Sequence, residues 1–175
     1  LVILDLDGTI LDPFKRATIS DGVQAAIADV QAAGIPVTIG TGRTLDYLRH
    51  QFPGQLHLNH PVITTQGAVI GDPQNGRVLA EQDLPLAEAR HLAAWIDDIG
   101  LTAGFYFLRD DGRTHVCRNT VGHSEEEEAL LHHLIGFPYT HTPTFAPLLA
   151  QEDAHPPIKV ITYSNPAHSR RDVLA

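Results

Sequence analysis

The chain begins with a short apolar run, Leu1–Leu4, which leads directly into two carboxylates, Asp5 and Asp7, and a Gly-Thr turn. A continuous apolar run bounded by a turn is typical of a strand buried on both faces, as the central strands of parallel sheets are. Side chains two residues apart on a strand point to the same side. The pattern therefore predicts a buried first strand that delivers two acidic groups to one place.

Strands and helices are predicted to alternate through the first half of the chain. Helical spacing of apolar residues runs from Ser20-Asp21 to a stop at Gly34, and a short helix is predicted from Leu45 to about His50. The other predicted elements are strands at Ile35–Ile39 and Pro61–Thr65 and a hairpin of Ala68–Gly71 with Arg77–Ala80 around the turn Asp72–Gly76. This alternation indicates a parallel sheet with right-handed crossovers.

The pattern changes near Leu84-Pro85, where a second, mixed unit is predicted to begin. Its predicted elements are a helix over about Leu86–Ile99, strands at Ala103–Leu108, Arg113–Arg118 and Ile158–Tyr163, a helix capped by Ser124 and Glu127 that runs to about Ile135, an irregular Pro-rich loop at Gly136–Pro157, and a helix from Asn165-Pro166. We predict two domains, residues 1–80 as part of a doubly wound parallel core and residues 81–175 as a smaller α/β unit.

Composition and charge narrow the class of protein. The formal net charge of −9 argues against a nucleic-acid surface, which needs clustered Lys and Arg. The sequence has no apolar stretch long enough for a transmembrane helix and begins inside a strand without a signal peptide. A single cysteine, Cys117, is consistent with a reducing cytoplasm, and we expect it to be buried and inert. The eleven histidines are scattered, so a histidine-based metal site is not expected.

Asp5 and Asp7 are the first candidates for chemistry. Two carboxylates this close raise each other's pKa unless a divalent cation lies between them, and an unpaired buried carboxylate costs several kcal/mol. The spacing therefore favours a metal site, with Asp5 and Asp7 as ligands, that can also do chemistry. The alternative is a simple Asp-Gly-Thr turn in which Asp7 caps a following helix.

Gly40-Thr41-Gly42-Arg43 is the second motif, placed between a predicted strand and a predicted helix. In open parallel sheets, ligands bind beyond the carboxyl ends of the strands, so this loop is expected beside Asp5 and Asp7. Thr41 offers a hydroxyl, Gly42 lets backbone N–H groups approach closely, and a helix N-terminus favours an anion. The motif predicts a phosphate site at Thr41, Gly42 and Arg43; a solvated Gly-containing connection is the alternative.

Together, the Asp5–Thr9 stretch, the Ile39–Arg43 stretch and Gln66-Gly67-Ala68 resemble the haloacid-dehalogenase-like superfamily, and within it the Cof-type phosphatases. The resemblance spans essentially the whole chain. It implies an α/β fold: a partial Rossmann-like, doubly wound parallel sheet into which an α/β cap domain is inserted. It also implies hydrolysis of a small, sugar-like phosphomonoester with Mg²⁺ as the cofactor, and a phosphorylated metabolite as the partner in place of nucleic acid or membrane.

The resemblance also implies roles for the residues. Asp5 would attack phosphorus and form an aspartyl-phosphate, and Asp7 would act as general acid and base. Mg²⁺ would be held by the Asp5 carboxylate and the Asp7 backbone carbonyl. Thr41 and the N–H of Gly42 would hold the phosphoryl oxygens.

Two departures from the family pattern leave other functions open. Gln66 stands where the family usually has Asn, and the family's later phosphate-binding Lys and acidic Mg²⁺ motif have no counterpart before the chain ends. Lys159 is a poor candidate for that Lys. We therefore expect this chain to be incomplete or inactive by itself. A phosphosugar mutase with the same nucleophile, and a non-catalytic phosphate- or metal-binding module, are the alternatives; a receiver-like domain phosphorylated on Asp5 fits less well.

Overall fold

The computed structural model describes residues 1–11, 18–119, 132, 135 and 138–163. The chain forms two compact units. The first consists of Leu1–Gln82 with Asp110–Arg113, and the second of Asp83–Arg109 with the described residues from Thr114 onward. The assignment of residues 1–80 to a half-core and 81–175 to a cap stays a prediction.

A parallel strand pair is the basis of the first unit. In chain order, its parallel part consists of β1 (Val2–Leu4), α1 (Asp21–Ala32), β2 (Val37–Ile39), α2 (Leu45–Gln51) and β3 (Val62–Thr64). β1 pairs in parallel with β2, and a parallel bridge between Gly40 and Ile63 continues the arrangement from β2 towards β3. The predicted alternation of strands and helices is confirmed here.

The first strand departs from its predicted burial. Ile3 is 52% exposed, and Val2 and Leu4 are only half-buried, so the prediction that this strand is buried on both faces is wrong. β2, by contrast, is buried at all three positions. Within the described part of the chain β1 pairs with β2 alone, and because nothing described covers its outer face, Ile3 remains exposed.

Side-chain caps define where the two helices of this unit begin. Ser20 accepts a hydrogen bond from the N–H of Val23 at 3.4 Å, and Thr44 accepts one from Tyr47 at 3.1 Å. Each cap satisfies a backbone donor that the first turn of a helix leaves unpaired. The helices then close over an apolar core whose buried members include Leu6, Ile10, Ile27, Val37, Ile39, Leu45, Leu48, Phe52, Leu58 and Val62.

The first unit ends in an antiparallel sheet of order β3-β4-β5, where β4 is Val69–Gly71 and β5 is Val78–Glu81. Asp72 builds the turn between β4 and β5. Its carboxylate accepts from the backbone of Gln74 at 2.8 Å and from the side chain of Asn75 at 2.6 Å. These hydrogen bonds satisfy polar groups that have no strand partner at the turn. The antiparallel pairing of β4 with β5 around this turn confirms the predicted hairpin.

The second unit packs helices against a four-stranded sheet. Its elements are α3 (Leu86–Ile99), β6 (Thr102–Leu108), β7 (Thr114–Arg118), β8 (Thr140–His141), α4 (Ala146–Leu149) and β9 (Lys159–Tyr163). The strand order is β8-β7-β6-β9, with β6 antiparallel to both β7 and β9. The predicted bounds of α3 are those observed.

The segment Gly136–Pro157 contains more structure than predicted. Its described part includes β8 and α4, and the side chains of Phe145 and Leu149 are buried in the core of the unit. The rings of Phe145 and Phe105 lie 4.5 Å apart. The Asp97 carboxylate accepts from the backbone N–H of Phe145 at 2.9 Å. Two buried apolar side chains and one acidic cap thus order a segment whose prolines predicted irregularity.

Some predictions lie outside the described residues, and others are confirmed. The helix capped by Ser124 falls outside them except for two isolated positions. The helix from Asn165-Pro166 falls outside them entirely.

Cys117 is buried as expected, and burial raises the pKa of its thiol. None of the helices in the described ranges is long and apolar enough to cross a membrane.

Gly71 lies in the core of the first unit where a methyl group does not fit. A Cβ atom there would overlap Leu45 Cδ2 and lie 3.2 Å from the carbonyl oxygen of Arg77. We predict that Gly71→Ala lowers the free energy of unfolding by about 1–3 kcal/mol, the usual effect of overpacking. Urea unfolding followed by circular dichroism measures this.

Gly22→Ala is the matched control. Gly22 lies in α1, and a Cβ atom there would meet nothing within 4 Å. Since alanine is the better helix former by roughly 0.5–1 kcal/mol, this variant should unfold at the same or a slightly higher urea concentration. Equal unfolding midpoints for the two variants would contradict the packing described around Gly71.

Candidate active site

The loop after β1 turns both acidic side chains outward. Leu6 is fully buried, whereas Asp5 and Asp7 on either side of it are exposed. The carbonyl of Leu6 accepts from the N–H groups of Ile10 at 3.2 Å and Leu11 at 2.9 Å, which folds the loop back on itself. Burial of one apolar side chain therefore fixes which way its two acidic neighbours point.

The second motif lies beside this loop. The N–H of Gly40 donates to the carbonyl of Leu4 at 2.9 Å, the last hydrogen bond between the two parallel strands. Asp5 follows Leu4 and Thr41 follows Gly40, so these two residues lie side by side where the chain leaves β1 and β2. The sequence prediction that the two motifs meet at the carboxyl ends of the strands is borne out by this pairing.

Asp5 keeps its carboxylate near solvent. The Thr9 hydroxyl donates to Asp5 Oδ2 at 3.3 Å, and both side chains are exposed. With this one weak donor among residues 1–11 and the other described ranges, the carboxylate retains lone pairs for a cation or for attack on an electrophile.

Arg43 holds Asp7 in a two-point ion pair. Its Nε and Nη2 donate to the two carboxylate oxygens of Asp7 at 3.0 and 2.9 Å. The planar guanidinium fork matches the carboxylate edge, which fixes orientation as well as charge. The prediction that Arg43 binds phosphate stays a prediction; in this structure its fork is engaged with Asp7.

Thr41 and Gly42 of the second motif pack closely against neighbouring residues. Thr41 is buried, and its hydroxyl accepts from the N–H of Arg43 at 3.1 Å. A Cβ atom on Gly42 would lie 3.3 Å from Gln66 Cγ, so the chain passes close to that side chain. The expected help from a helix N-terminus is small, because α2 has seven residues and Thr44 already takes one of its first N–H groups.

A strained turn, Thr65–Gly67, is hydrogen-bonded to the Gly40–Arg43 loop, and its conformation was not predicted from the sequence. Thr65, Gln66 and Gly67 have φ values of 56°, 59° and 98°. The N–H of Thr65 donates to the Arg43 carbonyl at 2.8 Å, and that of Gln66 to the Thr41 carbonyl at 3.1 Å. The Thr65 hydroxyl is buried and has no hydrogen-bond partner among the described residues. Two non-glycine residues in the left-handed region mark a site whose surroundings enforce the conformation.

The donors at the end of β1 fit Mg²⁺ better than a softer metal. Within the described ranges, no group of three or more His, Cys, Asp or Glu side chains is placed to hold a metal. Mg²⁺ does not need one, since one or two carboxylates with several waters are its usual protein ligands. Because Arg43 engages the Asp7 carboxylate, the exposed Asp5 carboxylate is the side chain of this pair that fits a cation better.

This arrangement defines an α/β protein with an acidic site at the carboxyl end of a parallel strand. The sequence matches the haloacid dehalogenase-like hydrolase family over residues 2–168. Since the match covers nearly all of the chain, the protein belongs to that family.

Solved structures support the same fold. The chain is similar to a haloacid dehalogenase-like hydrolase from B. subtilis at 18% identity and a TM-score of 0.71, covering 93% of this chain and 61% of that one. It is also similar to the phosphatase BT1666 from Bacteroides thetaiotaomicron, at 18% identity and a TM-score of 0.60, covering 87% of this chain and 52% of that one. A third similar structure is that of the subclass IIB sugar phosphatase BT4131, at 20% identity and a TM-score of 0.61, covering 86% of this chain and 55% of that one.

These likenesses confirm the predicted fold class, α/β with a partial doubly wound sheet. The chain spans 52–61% of the length of the three proteins. Activity, substrate and partners of the whole protein are therefore matters for proposal.

The strained turn yields a direct test at Gln66. Its side chain is exposed, and its φ of 59° is a conformation in which Asn is several-fold enriched. Gln66→Asn should raise the free energy of unfolding by about 0.5–1 kcal/mol. Gln66→Val should lower it by about 1–2 kcal/mol, because β-branched residues are least tolerated there. Thermal and urea unfolding of both variants measure the difference, and a valine variant as stable as the asparagine variant would refute the left-handed turn.

Proposed function

We propose that this chain carries the catalytic aspartates of a Mg²⁺-dependent phosphomonoester phosphatase that acts on a small, sugar-like phosphate. One observation carries the proposal: Asp5 and Asp7 flank the buried Leu6 and point outward beside Thr41. Membership of a hydrolase family and the likeness to a sugar phosphatase support the substrate class.

Asp5 is the proposed nucleophile because its carboxylate is exposed and, within the described part of the chain, is held only by the Thr9 hydroxyl. One of its oxygens attacks phosphorus, and the bond from phosphorus to the ester oxygen breaks. The product is an aspartyl-phosphate and a leaving alcohol. Splitting one displacement into two lowers the barrier of each.

Asp7 is the proposed acid and base. In its acid form it gives a proton to the leaving alkoxide, and the carboxylate that results takes a proton from the attacking water. That water forms a new bond to phosphorus, the bond to Asp5 breaks, and inorganic phosphate leaves. The fork of Arg43, at 2.9 and 3.0 Å, orients the Asp7 carboxylate for both transfers.

Thr41 and Gly42 are proposed to receive the phosphoryl oxygens, the hydroxyl and backbone N–H groups acting as donors to developing charge. Mg²⁺, bound by the Asp5 carboxylate and the Asp7 carbonyl, would neutralise the repulsion between an anionic nucleophile and an anionic substrate. A small phosphorylated metabolite is the proposed partner.

Exchange of the nucleophile is the sharpest test of the proposal. In a protein that also contains the later phosphate-binding Lys and acidic Mg²⁺ motif, Asp5→Asn should lower kcat for sugar phosphates at least about a thousand-fold, the scale seen when a nucleophile is removed. Asp21→Asn, an exposed carboxylate in the first turn of α1, is the matched control and should keep wild-type turnover. Phosphate release measures both.

Two outcomes would overturn the phosphatase. Turnover that persists in Asp5→Asn would place the chemistry elsewhere. A folded protein that contains the later motifs and binds phosphate or a sugar phosphate in calorimetry without releasing product would favour the non-catalytic binding module.

Removal of the metal is a separate prediction. In a protein that contains the later motifs, turnover should disappear in EDTA and return when Mg²⁺ is added in excess, because the metal then neutralises the charge of the substrate again. Ca²⁺ should restore much less, since it prefers six to eight ligands at longer distances. Full activity in EDTA, after exhaustive dialysis against the chelator, would contradict the proposed cofactor.

A further inference from the structure

Tyr47 lies against the flat face of the Arg43 guanidinium. The guanidinium carbon is 4.4 Å from the centroid of the tyrosine ring, well inside the range of a cation–π contact. Arg43 meets Asp7 with its edge and Tyr47 with its face. Asp7, Arg43 and Tyr47 therefore form a stack of three, which we call the acid–arginine–tyrosine stack.

The ion pair in this stack is half open to water. The side chain of Arg43 is 22% exposed and that of Asp7 is 47% exposed. Ion pairs at that exposure contribute little by themselves, because two long side chains must be ordered and solvent screens their charges. Something else must hold Arg43 if the pair is to have one geometry, and a ring beneath the guanidinium does so.

Tyr47 is itself held firmly. It is 5% exposed, its N–H is bound by Thr44 at 3.1 Å, and its ring meets the edge of Phe52 with centroids 6.1 Å apart. Burial raises the pKa of the phenol, while Arg43 lowers it and Asp7 raises it, so both charged groups act on the ring's hydroxyl. The core of the first unit thus holds the Tyr47 ring in place, and the ring in turn restrains the Arg43 guanidinium.

We propose that Tyr47 is a positioning residue of the candidate active site, which holds Arg43 and through it orients the Asp7 carboxylate. Its catalytic consequence rests on the proposed phosphatase function; its structural part does not. A cation–π contact of this kind corresponds to roughly a two- to five-fold factor in an equilibrium.

The structural part is tested by nuclear magnetic resonance. An Nε–H that is bound to a carboxylate exchanges slowly with water, and a ring beneath it shifts its resonance upfield. We expect a protected, upfield Arg43 Nε–H signal, assigned by its loss in Arg43→Lys. It should persist in Tyr47→Phe, which keeps the ring, and lose its protection and its shift in Tyr47→Leu.

A second pair of variants removes the risk that Tyr47→Leu fails to fold. Phenylalanine and pentafluorophenylalanine at position 47 have nearly the same shape, but fluorination reverses the charge on the ring face. The fluorinated protein should show faster Arg43 Nε–H exchange than the phenylalanine protein, by about two- to five-fold. Equal exchange rates in this pair would overturn the proposal.

The catalytic part is tested by a double-mutant cycle on kcat. If Tyr47 acts through Arg43, Arg43→Gln with Tyr47→Leu should be no slower than Arg43→Gln alone. Multiplied effects would mean that Tyr47 acts independently, and would overturn the positioning role. A protein that contains the later motifs and has no turnover, but in which the Arg43 Nε–H exchanges at the expected rates, would refute the phosphatase and leave the acid–arginine–tyrosine stack standing.

Discussion

The parallel pairing of β1 with β2 is the interaction on which the candidate site depends. Its last hydrogen bond, between Gly40 N–H and the Leu4 carbonyl at 2.9 Å, sets the point where two loops leave the sheet together. Leu6 then fixes direction, because its burial turns Asp5 and Asp7 outward. A slip of one residue in register would reverse every side chain and bury the acids, so strand pairing and chemistry are specified by the same few residues.

Charge balance explains why two acidic side chains can share one short loop. Arg43 engages Asp7 with both ends of its fork, whereas among the described residues only the Thr9 hydroxyl donates to the Asp5 carboxylate. The two carboxylates therefore have different surroundings, one held in an ion pair and the other exposed beside a hydroxyl. Tyr47 adds rigidity to an ion pair that solvent would otherwise leave loose.

The sequence predicted what local patterns encode. The helical patterns predicted α1, α2 and α3, and the two short motifs predicted that Asp5, Asp7 and Thr41 would lie at one edge of the sheet. The exposure of Ile3 was not predictable, because an apolar run has the same pattern whether or not a neighbour covers it. The left-handed turn at Thr65 and Gln66 was missed, since neither residue type favours that conformation and only the surrounding hydrogen bonds enforce it. The role of Tyr47 was missed because a cation over a ring needs the fold to bring the two together.

The most direct test of the account is to trap the covalent intermediate. A protein that also contains the later phosphate-binding Lys and acidic Mg²⁺ motif is mixed with Mg²⁺ and a sugar phosphate, quenched in acid within milliseconds, digested and examined by mass spectrometry. We expect a phosphoryl group on the N-terminal peptide, located at Asp5 and absent from Asp5→Asn. Product release with no phosphoryl group on that peptide at any quench time, or with one on another residue, would contradict it.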